Sequence, residues 1–290
     1  MLFHNCGTAF VTPFKNDGSV DYNAYRRLVE RQIEGGVDFL VPLGTTAETP
    51  TLSVEERKKL LRITLECSQG KPILAGCGSN SPAATLANME VVADADAFLV
   101  VTPFYNKPTQ EGLYQYYKYL AERSSKPIVM YNVPGRTGVN MSAETTLRIA
   151  REIPGIIGVK EASGKFEQID TIIKNAPEGF AVLSGDDDMT YELMLAGAHG
   201  VISVASNILP KEISYMTRCI SEGRYAEADE LNKKLFPLFK GCFIESNPIP
   251  AKEAMHQLGL CTNVMRLPLT TANANTAKTI NNILKEWKLL

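Results

Sequence analysis

The chain has 290 residues, 44% hydrophobic and 21% charged, a balance that excludes wholesale disorder and leaves enough length for a large core without disulfide or metal staples. Thirty basic residues against 32 acidic ones leave a formal charge of −2, so neither nucleic acid nor another polyanion is expected as a partner. No uncharged apolar run approaches the roughly 18 residues of a membrane helix, and Met1-Leu2-Phe3-His4-Asn5 has neither the basic flank nor the apolar stretch of a signal peptide.

Over the first 220 residues the sequence repeats one unit, a short apolar run followed by an amphipathic stretch. Gly7–Val11 comes first, then a segment that Asp21 caps and Gly35-Gly36 ends. Asp38–Leu43 follows, and Ser53-Val54-Glu55-Glu56 fits a capping box ahead of Leu60, Ile63, Thr64 and Cys67 at helical spacing. The later runs are Pro72–Gly76, Ala97–Thr102, Pro127–Val133, Ile156–Glu161, Phe180–Ser184 and Gly200–Ser203, with Ser142 capping the segment that begins Ala143-Glu144. Each run is nearly unbroken and rich in β-branched residues or Leu, as in parallel strands buried on both faces.

Eight such units predict an α/β fold, either a closed (β/α)₈ TIM barrel or a long doubly wound sheet. The barrel is favoured. No G-x-G-x-x-G follows the first run, and the notable polar residues sit at the ends of many different runs, which a barrel gathers on one face. Helices are predicted near 210–222, 224–241, 248–258 and 273–287. The expected organisation is a catalytic barrel over 1–222, with a C-terminal helical appendage over 223–290 packed on it.

The six cysteines form no Cys-x-x-Cys pair, and the three histidines are scattered, so no metal site is expected. Reduced, buried thiols in a reducing, cytoplasmic compartment are the expected state. Lys160 carries the sharpest chemical signal. It ends the dry run Ile156-Ile157-Gly158-Val159, and desolvation favours the free amine, a nucleophile that attacks a ketone to give an imine. The alternative is a strand-end lysine that snorkels to solvent or pairs with a carboxylate.

Tyr131 ends the preceding run, within reach of Lys160 across about 4.8 Å of strand spacing; its alternative is a satisfied core tyrosine. Arg136 lies in a Pro/Gly loop beyond it and offers a fork for a carboxylate. Thr45 and Thr46 follow Gly44 and offer hydroxyls and backbone N–H groups for a small anion, or simply turn chemistry. Asp186-Asp187-Asp188 reads as helix capping, the tyrosines between Tyr114 and Tyr119 read as packing, and Phe104-Tyr105 in a polar loop suggests an interface.

Taken in order, these residues resemble the dihydrodipicolinate synthase family, within the N-acetylneuraminate lyase group of class I aldolases. The resemblance rests on Thr12-Pro13-Phe14, Gly44-Thr45-Thr46-Ala47-Glu48, Thr102-Pro103-Phe104-Tyr105-Asn106, Gln110-Glu111-Gly112-Leu113-Tyr114, Tyr131-Asn132-Val133-Pro134, Arg136-Thr137-Gly138, Gly158–Gly164 and Asn247-Pro248-Ile249-Pro250. It implies a lyase that condenses pyruvate with aspartate 4-semialdehyde in lysine and diaminopimelate synthesis, without a cofactor. By the same resemblance Lys160 is the imine-forming lysine and Tyr131 the proton relay. Thr45 links Tyr131 to Tyr105, which a neighbouring subunit inserts. Thr46 contacts the pyruvate carboxylate, Arg136 meets the semialdehyde carboxylate, and Gly185 and Ile202 line the pocket. The same resemblance implies a homodimer or homotetramer, a dimer being the least that a shared Tyr105 requires.

Two other functions use the same residues: a sugar-acid aldolase with the same lysine, against which Arg136-Thr137-Gly138 argues, and a non-catalytic carboxylate-binding barrel. Two departures stand out. Ala47 replaces a commoner glycine, which would cost about 1 kcal/mol if φ were positive there. Pro50, Val54, Ala84 and Phe104 occupy positions of the family's lysine-feedback site, with Asn80 retained, which implies weak lysine inhibition.

Overall fold

A computed structural model describes all residues from Met1 to Leu290. Its eight strands are β1 (Asn5–Ala9), β2 (Phe39–Val41), β3 (Leu74–Gly76), β4 (Ala97–Val101), β5 (Ile128–Asn132), β6 (Ile156–Glu161), β7 (Ala181–Ser184) and β8 (Gly200–Ser203). All pairs are parallel, in the order β2-β1-β8-β7-β6-β5-β4-β3. The first strand pairs with the last, Cys6 opposite Val201, and the ends of the row meet where Leu40 bridges Ile73. Gly76 N–H also donates to the Pro42 carbonyl at 2.9 Å. The sheet is therefore closed, and the doubly wound alternative is excluded.

Alternation along each strand explains the unbroken apolar runs. Val129 and Tyr131 face the barrel interior with Leu99, Leu183 and Ile202, whereas Ile128 and Met130 face the helices with Val100 and Val182. Gly7 leaves the space that the Phe39 ring fills, since a Cβ there would lie 2.1 Å from that ring.

The surrounding helices are α1 (Tyr22–Glu34), α2 (Val54–Cys67), α3 (Pro82–Val91), α4 (Gln110–Ala121), the single turn α5 (Pro134–Thr137), α6 (Ala143–Glu152), α7 (Phe166–Asn175), α8 (Thr190–Leu195) and α9 (Pro210–Ser221). The expected caps form. Asp21 accepts from Ala24 N–H, Ser142 from Thr145 N–H, and Ser53 and Glu56 complete a reciprocal capping box. Tyr114, Tyr116 and Tyr117 are buried on α4 and are packing, whereas Tyr119 on the same helix is exposed. The chain then continues as α10 (Tyr225–Gly241), α11 (Ile249–Gln257) and α12 (Ala274–Glu286), with α10 packed on α9 and α11 on α12. All six cysteines are free thiols, and no helix is long and apolar enough to cross a membrane.

The acidic triplet departs from expectation, because none of its side chains caps α8 or the turn before it. Asp187 is buried and accepts the N–H groups of Val204 and Ala205 at 2.9 and 3.1 Å, which ties the β7 loop to the end of β8. Asp188 pairs with Lys240 at 3.0 Å.

Candidate active site

The C-terminal ends of the strands surround a cavity of about 210 Å³ lined by Thr45, Thr46, Tyr131, Arg136, Lys160, Gly185 and Asp186, among others. Tyr131 and Lys160 are register partners on β5 and β6, and the Lys160 Nζ stands 4.4 Å from the centre of the Tyr131 ring. Lys160 is only 5% exposed and makes no ion pair and no side-chain hydrogen bond, so neither snorkelling nor carboxylate pairing describes it. Gly185 leaves room for its stem, since a Cβ there would lie 3.0 Å from the Lys160 Cε.

Thr45 and Thr46 open a 3₁₀ turn, Thr45–Ala47, beyond β2. The positive φ falls one residue later than the sequence suggested, at Glu48 (55°), so Ala47 carries no such strain. Several groups fix this turn. The Thr12 hydroxyl donates to the Ala47 carbonyl at 2.8 Å, and Asn247 Nδ2 donates to Thr46 Oγ1 at 2.9 Å. The Asn247 carbonyl in turn accepts from Arg136 Nη2 at 3.2 Å, linking the two groups suited to carboxylates. Behind the turn, the fully buried Lys252 donates to the Glu48 carboxylate at 2.8 Å and to the Val264 carbonyl at 2.7 Å, and Glu48 also accepts the Arg266 N–H. Burial pushes the Lys252 amine down, with Glu48 opposing the shift.

Two expected members are not at the cavity in the single chain. Tyr105 is 90% exposed with a φ of 72°, in a loop where Asn80 Nδ2 donates to the Phe104 carbonyl and Asn106 Nδ2 to the Asn80 carbonyl. Ile202 is buried in the barrel interior and does not line the cavity. Thr45 lines the cavity and is exposed.

Residues whose place sequence reasoning missed come largely from outside the strand ends. Asn247, Phe243 and Lys252 belong to the C-terminal region, and Asp186 lines the cavity instead of capping a helix. The Asn247-Pro248-Ile249-Pro250 motif carried a signal for the first, but only the tertiary fold brings it to Thr46.

The residues that follow Tyr131 and Lys160 point the other way and form a buried network. Glu161 accepts from Asn132 Nδ2, from Ser163 Oγ at 2.6 Å and from Gln168 Nε2 at 3.4 Å. Burial pushes its carboxyl up to about 7, against the pull of these donors. A carboxyl neutral in the fold and ionised in the unfolded chain gives stability that is fully present below the ordinary glutamate range and lost as pH rises through about 7. Glu161→Gln removes that dependence. The Tm of the variant minus that of the wild type should therefore rise between about pH 5 and about pH 7 and level off above. Thermal unfolding across that range checks this, and a flat difference would contradict it.

Comparison with known proteins agrees with the barrel fold. Residues 2–287 match the model of the dihydrodipicolinate synthetase family. The 4-hydroxy-tetrahydrodipicolinate synthase of Phocaeicola vulgatus is 50% identical over 98% of this chain and 96% of its own. The crystal structure of dihydrodipicolinate synthase from Thermotoga maritima superposes with a TM-score of 0.97 at 47% identity, covering all of both chains. That of the Acinetobacter baumannii enzyme complexed with pyruvate gives 0.96 at 42% identity, again covering all of both chains. The chain belongs to the dihydrodipicolinate synthetase family.

Proposed function

We propose that this chain is a 4-hydroxy-tetrahydrodipicolinate synthase that condenses pyruvate with aspartate 4-semialdehyde through an imine on Lys160. The observation that carries this reading is a buried lysine without an ion-pair partner, beside a tyrosine, in a cavity with one arginine at its mouth.

The Lys160 amine adds to the pyruvate ketone and water leaves, giving an imine in which the lysine nitrogen is the electron sink. Thr46, held by Asn247, and the backbone of the adjoining turn receive the pyruvate carboxylate. Loss of a methyl proton gives an enamine whose carbon attacks the aldehyde. The amine of the second substrate then displaces Lys160 by transimination, which closes the ring and returns the free lysine. Tyr131 relays the protons. Thr45 and Tyr105 extend that relay in an oligomer, where a neighbouring subunit brings Tyr105 over the exposed Thr45. The exposed Tyr105 and the half-exposed Phe104 support this shared arrangement.

Arg136 separates this reading from a sugar-acid aldolase, because a polyhydroxylated substrate has no second small carboxylate at that place. Arg136→Ala is expected to raise KM for aspartate 4-semialdehyde roughly tenfold or more, the scale of a lost charge-assisted pair, while KM for pyruvate stays unchanged. Steady-state kinetics with each substrate varied, and with N-acetylneuraminate as the alternative, test both points. Faster turnover of N-acetylneuraminate would replace this reading with the aldolase one.

A further inference from the structure

The second substrate proposed above is a zwitterion, with an ammonium group as well as a carboxylate, and Arg136 meets only the carboxylate. We propose that Asp186 receives the ammonium group and thereby selects the amino-bearing aldehyde over its deaminated analogue. This rests on the condensation reading and concerns its second substrate alone.

Asp186 is the one acidic side chain lining the cavity, against two basic ones, Lys160 and Arg136. Its backbone is fixed: its N–H donates to Ser184 Oγ at 3.3 Å, and its carbonyl accepts from Ser184 Oγ at 2.8 Å and from Thr190 Oγ1 at 3.0 Å. Its carboxylate, by contrast, takes part in no ion pair and no side-chain hydrogen bond, although Asp187 and Asp188 beside it are both engaged. An anion held by its main chain and left without a partner is set for a cation that arrives from outside the chain.

Topology places it suitably. Arg136 follows β5, Lys160 ends β6 and Asp186 follows β7, and these three strands are neighbours in that order. Arginine and aspartate therefore flank the lysine strand on opposite sides. A short amino acid with a carboxylate towards Arg136 and an ammonium towards Asp186 spans the strand that carries the imine. Burial pushes the Asp186 carboxyl up to about 6, and Lys160 pulls it the other way. At neutral pH it is therefore mostly ionised, yet poorly solvated, and gains from a cationic partner.

The test is Asp186→Asn in the full-length chain, with three readings. KM for aspartate 4-semialdehyde is expected to rise roughly 10- to 100-fold, the scale of a lost hydrogen bond to a charged group. Inhibition by succinate semialdehyde, which keeps the aldehyde and the carboxylate but has hydrogen in place of the ammonium, is expected to stay unchanged. The pyruvate adduct trapped on Lys160 by borohydride is expected to form as in the wild type. An unchanged KM for the amino-bearing aldehyde, or equal weakening of both aldehydes, would overturn the proposal. Loss of the trapped adduct in the variant would overturn it too, because Asp186 would then serve the lysine. Absence of that adduct in the wild type would count instead against the condensation reading itself.

Discussion

Lys160→Ala is expected to lower kcat by roughly 10⁴-fold or more, the scale on which removal of a covalent nucleophile acts, while leaving the fold in place. The fold should survive because the inner strand face keeps Leu99, Tyr131 and Leu183 in contact, and because no ion pair or side-chain hydrogen bond is lost with the amine. The alanine leaves a gap at the cavity end of the barrel rather than in its middle. Kinetics with both substrates and a thermal unfolding curve measure the two halves of this expectation. A variant that unfolds would instead make the lysine structural.

Lys252→Met is the substitution expected to cost most in stability. It leaves the buried Glu48 carboxylate without its cation, with only the Arg266 N–H still donating to it. Removing one partner of a buried ion pair typically costs about 3–5 kcal/mol, mainly because the other charge stays desolvated. Urea denaturation is expected to show a loss of that order, and Glu48→Gln combined with Lys252→Met should recover part of it. Because Glu48 ends the turn that presents Thr45 and Thr46, KM for pyruvate should rise in the single variant as well. A loss below about 1 kcal/mol would show that the pair behaves like an exposed one.

The barrel was legible in the sequence because its strands are buried on both faces, so Ile156–Glu161 and Gly200–Ser203 read as unbroken apolar runs with clear ends. The Lys160 and Tyr131 pair was legible for the same reason, since neighbouring strand ends in one register must meet. What could not be read locally was set by distant partners. Three aspartates before a helix look like caps, yet Asp187 is bound to the end of β8, Asp188 to Lys240, and Asp186 faces the cavity. Asn247 and Lys252 reach the Thr45–Ala47 turn across some 200 residues of chain, a separation that no periodicity reports. The strain foreseen at Ala47 sits on Glu48 instead, where a buried ion pair holds the left-handed backbone. Tyr105 and Ile202 were placed by resemblance, and in the single chain one stands in solvent and the other below the cavity floor.

Mass spectrometry after borohydride reduction reads whether the Lys160 amine bonds covalently to a keto acid. Incubation with pyruvate and borohydride should add one reduced pyruvate to the chain, on the peptide that contains Lys160, and abolish activity in proportion. An unmodified chain, or an adduct on any other lysine, would rule out imine chemistry at Lys160.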